Sequence, residues 1–176
     1  MSDQSSQERS QREEADRIAQ RTSVREVVGV VGAGPCVVEE DAGLLHICEQ
    51  LGEAPGVQTI AVIDRTGRLT GIIPVRLLLN ELFLRVAPEE FLTDLRAMEG
   101  VEEFGKLSRA RSARDLMQPA VYVTMDDSVR EAFARMHEQR LEGLPIVDKD
   151  MRVVGYVDRL HLIQIWLRKH RREGGV

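Results

Sequence analysis

The chain repeats itself, and that feature restricts its fold more than any other. Residues 60–78, IAVIDRTGRLTGIIPVRLL, and residues 144–162, LPIVDKDMRVVGYVDRLHL, follow one plan. Each runs from an apolar strand to an Asp (Asp64, Asp148), a short polar turn, a second apolar strand, a Gly (Gly71, Gly155), two apolar residues and a helical pattern, with the same Asp-to-Gly spacing. A fixed internal period implies two structurally equivalent units. At 176 residues the chain is long enough to bury a proper core, and the repeat divides it in two.

Matching elements precede both units. SVREVV (Ser23 to Val28) and SARDLM (Ser112 to Met117) read as short helical lead-ins. Leu44, Ile47, Cys48 and Leu51 share the i, i+3, i+4, i+7 spacing of Val129, Ala132, Phe133 and Met136, one apolar helix face in each copy, expected in the core. Ser128 and Glu131 have capping-box spacing, behind Asp126 and Asp127. Gly67 suits a left-handed turn position. Met151 stands at that place in the second copy, so either the turn differs or Asp150 supplies the left-handed residue. Helices follow at Val75 to Leu84 and Arg159 to Leu167.

Outside the repeats, residues 1–21 carry few large apolar side chains and are expected to be disordered, to fray as a helix from Glu13, or to serve as a partner-binding arm. Residues 84–111 form a long connector, with a helix start at Ala87-Pro88-Glu89-Glu90 and an apolar face at Phe91, Leu92, Leu95 and Met98. Lys106, Arg109, Arg111 and Arg114 read as a solvated basic face or a phosphate contact. Arg168, Lys169, Arg171 and Arg172 complement a helix C-terminus or dock an anionic partner.

Several function classes drop out. A formal charge of −5 and 4% aromatic residues argue against nucleic acid as a partner. No apolar run reaches the ~20 residues that span a bilayer, and the N-terminus lacks a signal-peptide centre, so a cytoplasmic location is expected. Cys36 and Cys48 are expected as buried, reduced thiols. GVVGAGP (Gly29 to Pro35) starts like a dinucleotide fingerprint, but the third glycine falls on Val37. No hydrolase, P-loop or zinc-protease motif is present, and neither cysteine has an evident base, so no enzyme activity is expected. His46, His137 and His170 lack mutual metal spacing and are expected at the surface.

Taken together, the two copies resemble a tandem pair of CBS domains, the modules named for cystathionine beta-synthase. The second copy, SARDLMQPAVYVTMDDSVREAFARMHEQRLEGLPIVDKDMRVVGYVDRLHLI, carries the better match; the first fits from Ser23 to about Leu84. The resemblance implies an α/β (α+β) fold of two β-α-β-β-α repeats packed with pseudo-twofold symmetry, plus the helical connector. The expected division is a 1–21 arm, repeat 1 at 22–84, the connector at 85–111, repeat 2 at 112–172 and a 173–176 tail. It further implies a homodimer and a non-catalytic regulatory role, with AMP, ADP, ATP or S-adenosylmethionine in a cleft between repeats. Ligand-facing positions would be Ala120, Val121, Gly143, Leu144, Pro145, Asp158, Arg159 and His161.

The family signature of Gly, two apolar residues, Thr or Ser, two residues and Asp is not kept. The first copy has Pro74 and Leu77 at the two polar positions, the second Asp158 and His161. Leu77 cannot bond a ribose, and Asp158 would repel a phosphate. His161 could bond a ribose hydroxyl, join Asp158 in a metal site, or bond Asp158 locally, since i and i+3 share a helix face. The alternative role is a dimeric interaction scaffold with degenerate ligand sites that docks a protein through the connector helix or the basic tail.

Overall fold

The structure is a computed structural model, and it describes residues 13, 15–28, 34–86 and 110–173. The connector helix at Phe91 to Met98, Lys106 and Arg109, and most of the Gly29 to Pro35 stretch lie outside the described residues. In chain order come a helix over residues 15–21 (α1), then α2 (Val24–Val28), β1 (Val37–Glu39), α3 (Leu44–Glu53), β2 (Thr59–Ile63), β3 (Leu69–Pro74) and α4 (Val75–Val86). The second half repeats the order as α5 (Ala113–Leu116), β4 (Gln118–Pro119), β5 (Val123–Thr124), α6 (Val129–Glu138), β6 (Gly143–Val147), β7 (Val153–Asp158) and α7 (Arg159–Glu173). No helix among the described residues is long and apolar enough to cross a membrane.

Two sheets result, one ordered β1-β2-β3-β4 and one β5-β6-β7. Parallel pairs β1/β2 and β5/β6 are each joined through a helix, and antiparallel pairs β2/β3 and β6/β7 through the polar turn. β2 faces β6 across the interface between the sheets, and all but one residue of β2 and all of β6 are buried. Covered on both faces, these strands need continuous rather than alternating apolar sequence.

The lead-in helices do not pack on their own repeats. Val24 and Val27 of α2 lie in the core of the second repeat with Leu144, Ile146 and Val157, while Ala113 and Leu116 of α5 lie in the core of the first with Ile47, Ile60 and Ile73. The backbone bonds are reciprocal. Val24 N–H donates to Asp127 O at 2.8 Å and Ala113 N–H to Ala42 O at 2.9 Å, whereas Arg25 N–H reaches Met125 O at 3.0 Å and Arg114 N–H reaches Glu40 O at 2.8 Å. β4 pairs with β3, and a Cβ on Gly71 would come within 2.8 Å of Met117 Sδ and 2.9 Å of Gln118 O. Glycine is required there because the exchanged strand crosses so closely.

Three expectations need correction. Met151 itself takes the left-handed conformation, with φ of 62° against 82° at Gly67, and both turns close alike: Asp64 N–H bonds Arg68 O at 2.9 Å and Asp148 N–H bonds Arg152 O at 3.0 Å. The ~1–2 kcal/mol cost of that backbone is offset by partial burial of the Met151 side chain against the cluster of Ala61, Leu69 and Val147, and Met151 O also accepts Leu69 N–H at 2.8 Å. Phe133 is 45% exposed rather than core, although Val129, Ala132 and Met136 are buried as expected. Cys36 is buried and its thiol is pushed up to about 11 by that burial, but Cys48 is only half-buried; both are free thiols.

Candidate functional site

Each repeat delivers the end of its second strand directly into a helix. In the second, β7 ends at Asp158 and α7 starts at Arg159, whose N–H donates to Glu142 O at 3.1 Å; in the first, Val75 N–H donates to Gln58 O at 2.9 Å. The helix N-terminus is therefore anchored to the residue before β2 or β6 through its own first amide.

Of the three readings of Asp158 and His161, the structure shows the local bond. Asp158 Oδ1 accepts His161 N–H at 2.8 Å and lies 3.4 Å from His161 Nδ1. An Asp that accepts the amide three residues on acts as a helix cap. Both side chains are largely buried. Beside them the Arg159 guanidinium sits 5.8 Å from the centroid of the Phe133 ring and 3.5 Å from Glu142 Oε1. Arg159 Nε is buried with no acceptor. A buried donor left without a partner is costly, and although Glu142 and Asp158 place carboxylates in this corner, neither supplies an acceptor to Arg159 Nε. In the first repeat the same positions hold Pro74, the buried Val75 and the half-buried Leu77, so neither the cap nor the cation is repeated there.

The eight sequence-derived positions separate into groups. Asp158, Arg159 and His161 lie together, with Gly143 opposite Asp158 in the strand register. Gly143, Leu144 and Pro145 are buried, Leu144 within the second core. Ala120 and Val121 lie apart, just after β4, and line a cavity of about 430 Å³ with Tyr122, Thr124, Asp127 and Arg135. Its Arg135 guanidinium bonds Tyr122 O at 2.7 Å and Asp127 Oδ2 and Oδ1 at 3.2 and 3.3 Å. The equivalent cavity in the first repeat, about 480 Å³, is lined by Pro35, Cys36, Gln50 and Glu53.

Sequence reasoning missed Tyr156. This residue of β7 crosses into the core of the first repeat, and its hydroxyl accepts Gln58 N–H at 2.9 Å. Burial pushes the phenol up to about 12; the nearby Asp158 charge pushes the same way, and the bonds from Gln58 and Thr59 act against both. Ile72, the matching residue of β3, crosses oppositely into the second core. The only local hint was a hydroxylated aromatic in an apolar slot of the repeat.

A family profile for the CBS domain matches residues 113–168. The second repeat matches the CBS domain. The whole chain has the fold of a CBS pair. It superposes on a CBS domain-containing protein from Thermotoga maritima with a TM-score of 0.65 and 26% identity, covering 84% of this chain and 95% of that one. CBSX2 in complex with AMP aligns with a TM-score of 0.58 and 21% identity over 85% of this chain and 99% of its own. A CBS domain pair solved with 5′-methylthioadenosine and S-adenosyl-L-methionine aligns with a TM-score of 0.61 and 17% identity, covering 84% and 98%. No match was found among curated proteins. Within this pair of repeats the lead-in helices, β4, Tyr156 and Ile72 all pass from one repeat to the other.

Proposed function

We propose that this CBS pair is a non-catalytic regulatory module that binds an adenosine-type ligand at the start of α7. The observation that carries the reading is Arg159, whose buried Nε–H lacks an acceptor at the positive end of a helix. A phosphate or carboxylate would supply that acceptor, and His161 beside it offers a ring nitrogen to a sugar hydroxyl. The complexes of similar pairs with AMP and with S-adenosyl-L-methionine support the ligand class. Regulation would follow from unequal affinity for two arrangements of the repeats. Calorimetric titration with AMP, ADP, ATP and S-adenosylmethionine tests it. Arg159→Gln and His161→Ala are each expected to weaken the ligand that binds by about tenfold. A flat response across the panel removes the proposal.

The scaffold reading is favoured by a different observation. Leu160, Ile163 and Leu167 on α7 and Phe133 on α6 are exposed large apolar residues, a face suited to a second copy of the chain. The homodimer is proposed to form there. Sedimentation equilibrium of wild type and Ile163→Glu tests it, and a monomeric wild type at micromolar concentration refutes it. Docking of a protein partner through the connector is tested by deleting residues 85–110 and comparing the partners retained.

A further inference from the structure

The two polar turns meet. Arg68 and Arg152, each the residue after the left-handed position, face each other across an isolated antiparallel bridge. Leu69 N–H donates to Met151 O at 2.8 Å beside that bridge, so the two arginines form the pair type that does not exchange hydrogen bonds with itself. This is the register in which cross-strand side chains come closest. Both arginines are exposed. Like charges directly opposite each other are unfavourable, and the Asp64 carboxylate, whose charge interacts with Arg68, is one of the acids in the turns set against them. Asp64 and Asp148 are committed to the backbone, Asp64 Oδ1 accepting Arg68 N–H at 3.0 Å and Asp148 Oδ1 accepting Arg152 N–H at 2.9 Å. Arg65 and Lys149, each following its Asp, add two more cations, of which Arg65 lies 3.7 Å from Asp41.

We propose that Arg68 and Arg152 form a second anion site, on the pseudo-twofold axis between the repeats, that takes a phosphate group. Two guanidinium forks from opposed strands can each offer paired N–H donors to one phosphate, a geometry in which lysine would do less well. The site is separate from α7 and does not depend on the ligand proposed there. Its phosphate could be free or carried on a nucleotide.

Inorganic pyrophosphate at low ionic strength is the probe. It is expected to bind the full chain by calorimetry and to raise its melting temperature. Arg68→Gln and Arg152→Gln should each weaken binding by about tenfold or more, while Arg25→Gln, at an arginine paired with Asp126 outside both sites, should leave it unchanged. The double variant should melt no lower than wild type without ligand, because the repulsion is gone, and should gain nothing from pyrophosphate. Displacement by orthophosphate points to free phosphate and displacement by ADP to a nucleotide, and either supports the site. No binding to wild type, or equal weakening by Arg65→Gln and Lys149→Gln, overturns it.

Discussion

The Tyr156 hydroxyl accepts the Gln58 amide hydrogen at 2.9 Å, joining residues 98 positions apart, and it can do so only because residue 143 is glycine. A Cβ at Gly143 would overlap both the Tyr156 hydroxyl and its ring carbon and stand 3.0 Å from Val157 O. Gly143→Ala is therefore expected to cost ~1–3 kcal/mol by overpacking. In a Tyr156→Leu background the same substitution should cost much less, since the two nearest atoms are gone and only the 3.0 Å approach to Val157 O remains. Urea denaturation of the four proteins measures the coupling, and additive costs would contradict the steric account.

Tyr156→Phe leaves the Gln58 N–H without its acceptor, at an expected cost of ~1–3 kcal/mol. The phenol also predicts a pH effect. Burial holds its folded pKa at about 12, above the ordinary phenol value of 10.0, so its neutral form stabilises the fold below pH 10 and that contribution is lost as pH rises toward 12. Cys36 loses stability in the range from 9.0 to about 11 for the same reason. Comparing wild type with Tyr156→Phe isolates the tyrosine, and the difference between them should shrink above pH 10.

Helix α6 rests on a reciprocal cap. Ser128 Oγ accepts Glu131 N–H at 3.2 Å, and Glu131 accepts Ser128 N–H at 2.8 Å. Ser128→Ala should destabilise by ~0.5–2 kcal/mol. The bonds from the Ser128 backbone and hydroxyl hold the Glu131 carboxyl below its usual range. The cap's contribution is therefore present at neutral pH and lost as pH falls through that lowered value. Melting curves of Glu131→Ala and wild type should converge in acid, and a constant gap down to pH 2 would count against the cap.

Gly67 offers a clean test of backbone strain, because its φ is 82° and nothing lies within 4 Å of a Cβ built there. Gly67→Ala should cost ~1–2 kcal/mol from conformation alone. No loss on denaturation would mean that the turn relaxes.

Much of this protein was legible locally. The repeated Asp-to-Gly spacing, the apolar faces of α3 and α6 and the Ser128–Glu131 box each depend on residues within a few positions of one another, and each is present in the structure. Met151 shows where local reasoning stops. Its backbone preference argued against a left-handed conformation, yet packing against the cluster of Ala61, Leu69 and Val147, together with a bond from Leu69, outweighs that preference. Phe133 shares the helical pattern but is 45% exposed, its ring meeting the Arg159 guanidinium of another helix rather than the core.

Periodicity and spacing alone determined that the chain holds two equivalent units of strand, helix, hairpin and helix. Only the tertiary structure decided that α2 and α5 serve each other's repeats, that β4 joins the first sheet, and that Tyr156 and Ile72 trade cores. The same holds for the candidate site: Asp158 and His161 bond each other, and Arg159 is left with a buried donor. Such facts turn on which surfaces meet across a pseudo-twofold axis. Contacts between residues some hundred positions apart leave no mark in a period of 2.0 or 3.6 residues.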